Sequence, residues 1–182
     1  GLAFGFGVVG HVTADGLRVD QCRFENLATA AIAADLSPLG LRRYPGIVVY
    51  GSRVTNCGRA LDWRSAGRVQ MEADTLQTTA YPAIRIRTAA VELLGLVMAP
   101  GIGGIAVHLE PARGDNDFLT HGLLDIRRCS MSGLPGPAIT LIDSLTPPSF
   151  YTRTIRENVI RDCGADGMVV SSAGVTVLRN VV

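Results

Sequence analysis

The residues of this chain best suited to chemistry are Asp35, Asp62, Arg64, Arg85, Arg87, His108 and Glu110. Carboxylates serve as general acid and base, and a pair held far enough apart to admit a water suits inverting glycoside hydrolysis. Arginine presents a planar fork that grips a carboxylate through two hydrogen bonds. Beside other cations it could also act as the base of a β-elimination, provided they lower its pKa. Histidine, unperturbed, titrates near neutrality. Asp35, Asp62 and His108 are therefore the candidate catalytic groups, and Arg64, Arg85, Arg87 and Glu110 the candidate substrate-binding groups. They are scattered along the chain, so only a regular fold could gather them.

Residues 46–87 indicate which fold. Ile47, Val49, Ser52, Val54, Leu61 and Trp63 are matched, 22 or 23 residues later, by Val69, Met71, Asp74, Leu76, Ile84 and Ile86. Bursts of period-2 alternation mean short strands, and a fixed repeat of about 20 residues means strands stacked coil on coil. Extended outward, the repeat predicts about seven coils, opening with Leu17 and Val19 and ending with Val175 and Val177. Arg153 stands where an apolar residue is expected, which predicts a late start for that strand. A small or polar slot recurs at Cys22, Ser52, Asp74, Leu96, Cys129, Asn158 and Asn180, where a side chain can satisfy backbone groups at a tight corner. The alternative, a β-sandwich, should show hairpin turns between alternating runs; Asp15-Gly16 and Asp166-Gly167 fall instead at coil corners.

Stacking gathers the candidate residues. The outward positions of each closing strand are Ala33 and Asp35, Asp62 and Arg64, Arg85 and Arg87, Ala106 and His108, then Thr140 and Ile142. They form one face, with Glu110 two residues beyond His108. Insertions at 35–45, 110–122 and 143–152 leave from the same corner and frame this floor. A groove for an acidic saccharide is one reading. A solvated charged face with Asp62 paired across to Arg85 is the other.

The lines LRVDQCRFENLATAAIA, LDIRRCSMSGLPGPAITL and IRENVIRDCGADGMVV resemble right-handed parallel β-helix repeats of the pectate lyase-like superfamily. The resemblance implies an all-β solenoid over residues 1–182 as a single domain. It further implies a secreted or cell-surface setting and contact with polysaccharide. If the chain is an enzyme, a polysaccharide lyase or glycoside hydrolase is implied; a non-catalytic segment of a larger extracellular or tail-fibre protein is the alternative. The Asn-Thr-Asp, Asp-Asp and Gly-His-Gly signatures of polygalacturonases are absent, as is the Asp-Pro-His-Asp run of alginate epimerases, so no catalytic role transfers by motif.

Composition narrows the partners. All 17 basic residues are Arg against 16 acidic ones, and a net charge of +1 argues against a nucleic-acid footprint. No apolar run reaches the roughly 18 residues of a membrane span. The four cysteines occupy repeat slots too far apart to bridge and are expected to be buried free thiols. Both ends cut the repeat mid-coil, which predicts a piece of a longer protein whose open ends meet a neighbouring domain or second chain. Asp115 and Asp117, in an Arg-Gly-Asp-Asn-Asp run, could hold calcium with Glu110, although the twelve-residue calcium-loop pattern is missing; no other metal or cofactor is expected.

Overall fold

Residues that alternate inward and outward along three to six positions can bury one face only by pairing with neighbours, and the chain does this in a single repeating way. The structure, a computed structural model, describes residues 6–7, 16–35, 46–65, 67–88, 90–101, 103–110, 122–144, 153–172 and 174–182. Among these residues the first strands are β1 (Phe6–Gly7), β2 (Leu17–Asp20), β3 (Arg23–Glu25), β4 (Ala30–Asp35), β5 (Ile47–Tyr50), β6 (Arg53–Cys57) and β7 (Arg59–Arg64). Next come β8 (Arg68–Glu72), β9 (Thr75–Thr78), β10 (Ile84–Thr88), β11 (Ala90–Leu94), β12 (Val97–Met98) and β13 (Ile105–Leu109). The last are β14 (Leu123–Arg127), β15 (Ser130–Ser132), β16 (Ile139–Asp143), β17 (Arg153–Arg156), β18 (Val159–Arg161), β19 (Met168–Ser171) and β20 (Val175–Leu178).

Every strand pairs in parallel with the strand three elements away. Three sheets result: β1-β4-β7-β10-β13-β16-β19, β2-β5-β8-β11-β14-β17-β20 and β3-β6-β9-β12-β15-β18. This is a right-handed parallel β-helix. No helix of the described residues is long and apolar enough to cross a membrane.

The register equals the sequence repeat. Leu61, Ile84, Ile105 and Ile139 are successive partners in the first sheet, and Val49, Met71, Leu93, Ile126 and Ile155 in the second. All are buried, each worth roughly 1.5–3 kcal/mol relative to exposure. At the outermost described coil the inward positions lose their cover: Val170 is 36% and Val177 47% exposed, against 0% for their partners Leu141 and Ile155.

Two expectations need correction. Strand β17 starts on schedule at Arg153, because the guanidinium turns inward and finds partners: its Nη1 is ion-paired to Asp143 and its Nε donates to the Gly122 carbonyl at 3.2 Å. All four cysteines are free, but only Cys57 and Cys129 are buried; Cys163 is half-buried, and Cys22, in the outermost coil at the other end, is exposed.

The slots behave as hydrogen-bonding columns. Cys22 N donates to Ser52 Oγ (3.1 Å) and Ser52 N to Asp74 Oδ1 (2.7 Å). Farther along, Cys129 N donates to Asn158 Oδ1 (2.9 Å) and Asn158 N to Asn180 Oδ1 (3.0 Å). The residue before each slot has positive φ: Gln21, Gly51, Ala73, Gly95, Arg128, Glu157 and Arg179. That left-handed kink turns the chain from the second sheet into the third.

Candidate functional site

Alternation on β4, β7, β10 and β13 sends every second side chain outward, and the ladder fixes which of them are neighbours. Ala33, Asp62, Arg85 and Ala106 form one outward column; Asp35, Arg64, Arg87 and His108 form the next. The candidate residues therefore share one face. Asp35, Asp62, Trp63, Arg64, Arg85 and Arg87 line a cleft of about 420 Å³.

Within it the charges are unevenly matched. Arg85 grips Asp62 with both ends of its fork: Nε donates to Oδ1 at 2.8 Å and Nη2 bonds Oδ2. That bond holds the Arg85 pKa above its usual value, so Arg85 stays a cation and Asp62 is committed to it as an acceptor. Arg64 lies 3.8 Å from Asp35 and, through Nε, 3.7 Å from Glu110. Arg87 stands directly opposite Arg64, a like-charge pairing that is unfavourable by itself. No carboxylate reaches Arg87 within ion-pair distance among the described residues. The Nε1 of Trp63 is buried and finds no acceptor there either. An unbalanced cation on the outer face suits an anionic, oxygen-rich ligand.

Toward the next coil, His108 joins Glu110, its Nδ1 lying 3.3 Å from Oε1. Its Nε2 is 2.7 Å from Ser144 Oγ. Asp35 and Asp62 sit on adjacent strands, two residues out of step.

No family model, curated protein or solved structure matches this chain.

Chemistry must then be read from the side chains. All seven candidate residues lie on one face, but they divide into an Asp62–Arg85 clamp, an Arg64–Arg87 cationic strip with Asp35 beside Arg64, and a His108–Glu110 end. One neighbour of these residues was not singled out from sequence, Ser144, whose hydroxyl meets His108. Ser144 falls in a stretch read as an insertion, yet Thr140 and Ile142 already alternate outward, and one more step reaches it. The calcium candidates Asp115 and Asp117, and most of the three insertions, lie outside the described residues.

Proposed function

We propose that this chain is a carbohydrate-contacting β-helix segment of the pectate lyase-like kind, working outside the cell, and that an acidic polysaccharide lies across the outer face of β7, β10 and β13. The observation that supports this reading most directly is Arg87, a cation in the cleft wall with an arginine as its cross-strand neighbour and, among the described residues, no carboxylate to balance it. A uronate carboxylate would satisfy its fork and relieve the repulsion from Arg64. Rungs repeat at about 4.8 Å, so a glycan running along the solenoid axis meets a fresh strand at each step. The Asp62–Arg85 clamp favours holding over cleavage at that point, since Asp62 is occupied as an acceptor.

The test is calorimetric titration with a polyuronate. A charge-assisted hydrogen bond is worth roughly 1.5–3 kcal/mol, so Arg87→Ala should weaken binding about ten- to a hundredfold and leave the fold intact. Arg85→Ala should weaken it less, because Arg85 is already engaged. Arg18, paired to Asp20 on a different sheet, is the control, and its alanine variant should bind as the parent does. No polyuronate binding, or equal behaviour of Arg18→Ala and Arg87→Ala, would leave only a charged, solvated face.

A further inference from the structure

We propose that Ser144, His108 and Glu110 form a serine esterase centre that removes O-acyl groups, such as acetyl, from the polysaccharide held on this face. The substrate half of that statement rests on the glycan reading above; the nucleophile half does not.

The geometry is that of nucleophile, base and orienter. Ser144 Oγ is 2.7 Å from His108 Nε2, within reach for direct proton transfer. On the far side of the ring, Nδ1 is 3.3 Å from Glu110 Oε1, so the carboxylate favours the tautomer with its proton on Nδ1 and leaves the Nε2 lone pair for the serine. Each member is anchored by backbone. Ser144 N donates to the Leu109 carbonyl at 2.9 Å and Glu110 N to the Thr88 carbonyl at 2.9 Å. Asp143, next to the serine, is buried and fixed by Ser172 Oγ at 2.7 Å and by Arg153. The inward arginine that interrupts the apolar repeat thereby steadies the strand end that carries the nucleophile.

The surroundings suit an acyl ester. Arg87 is the cross-strand neighbour of His108 on one side, a cation available to the negative charge that develops on the carbonyl oxygen. Ile142, the neighbour on the other side, is 47% exposed and offers an apolar seat for a small acyl methyl.

The steps balance with water as the only co-reactant. Ser144 Oγ attacks the ester carbonyl carbon while its proton passes to His108 Nε2. The bond from that carbon to the sugar oxygen then breaks, and the sugar oxygen takes the proton from Nε2. Water attacks the acyl-serine, losing a proton to Nε2. Collapse releases the carboxylic acid and returns the proton to Ser144 Oγ.

The experiment has two arms on the same protein. In the first, hydrolysis of p-nitrophenyl acetate and labelling by diisopropyl fluorophosphate are measured. Ser144 should carry the diisopropylphosphoryl mass tag, fluoride having left, and Ser144→Ala and His108→Ala should each lose at least about a hundredfold in rate, as removal of a triad member does. Glu110→Gln should lower kcat with little change in KM, the mark of a positioning residue. In the second arm, acetate release from O-acetylated polyuronate should follow the same order. No labelling and no hydrolysis by the parent, or a fully active Ser144→Ala, overturns the esterase and leaves glycan binding through Arg87 untouched. Hydrolysis of the small ester without calorimetric binding of polyuronate overturns the assigned substrate and the glycan reading together, while the serine centre stands.

Discussion

Asp74 occupies a polar slot whose chemistry does not suit a carboxylate, and replacing it should stabilise the protein. In the equivalent slots, Asn158 Nδ2 donates to the Ile126 carbonyl at 3.0 Å and Asn180 Nδ2 to the Ile155 carbonyl at 2.9 Å, in each case three residues before the slot of the preceding coil. The corresponding carbonyl beneath Asp74 is that of Val49. An ionised Asp74 has no proton to give it, and Oδ2 is indeed buried without a partner. Burial of the side chain, at 0% exposure, pushes the Asp74 pKa from 3.8 up to about 6; the hydrogen bond from Ser52 N opposes this only in part. A rise of that size corresponds to about 3 kcal/mol of preference for the neutral form in the folded state. Because the folded-state value is the higher one, the native protein holds a proton that the unfolded chain releases between about pH 4 and pH 6. The stability from this group is complete below about pH 4 and is lost as pH rises through 6. Asp74→Asn keeps the shape, removes the charge and supplies the missing donor. It should gain roughly 2–3 kcal/mol at pH 7.5 but no more than about 1 kcal/mol at pH 4, the worth of one hydrogen bond. Urea unfolding followed by the fluorescence of Trp63, the sole tryptophan, measures both values. Equal effects at the two pH values, or a less stable variant at pH 7.5, would refute the reasoning.

Two further outcomes are expected. Arg153→Met removes the arginine paired to the buried Asp143 carboxylate and should cost about 3–5 kcal/mol, whereas the double variant with Asp143→Asn should recover much of that loss, both read by urea denaturation. With a thiol reagent under native conditions, Cys22 should react first and Cys163 more slowly. Cys57 and Cys129 should react only on unfolding, since burial raises the Cys129 pKa to about 11 and suppresses its thiolate.

The coil register was legible because a β-helix writes its pairing into the spacing of apolar residues: Ile47 to Val69 and Leu61 to Ile84 are both repeat distances and ladder partners. Outward neighbours such as Asp62 with Arg85, and Arg64 with Arg87, followed from the same spacing. What remained hidden depended on side-chain partners across an insertion. Nothing in the repeat joins Arg153 to Asp143, so the arginine reads as a fault in the pattern rather than as half of a buried pair. Ser144 was obscured likewise, since its closeness to His108 arises only after 35 intervening residues, from 109 to 143, complete a coil and bring its strand alongside. Nor does spacing reveal which cation stays unbalanced. That requires knowing that Arg85 spends its fork on Asp62 and that Arg64 leans toward Asp35 and Glu110.

The left-handed corner recurs in each described coil, and among the described residues only Gly51 and Gly95 hold it with glycine. At Gln21, Ala73, Arg128, Glu157 and Arg179 an ordinary residue accepts a conformation that costs roughly 1–2 kcal/mol more than it does for glycine. The polymer consequently carries a dispersed tension along its axis, one increment per turn of the spring. Such a chain has room to evolve. A lineage that needed a costly substitution on the charged outer face could regain stability at a distant corner, without touching that face, the core or the register of any strand.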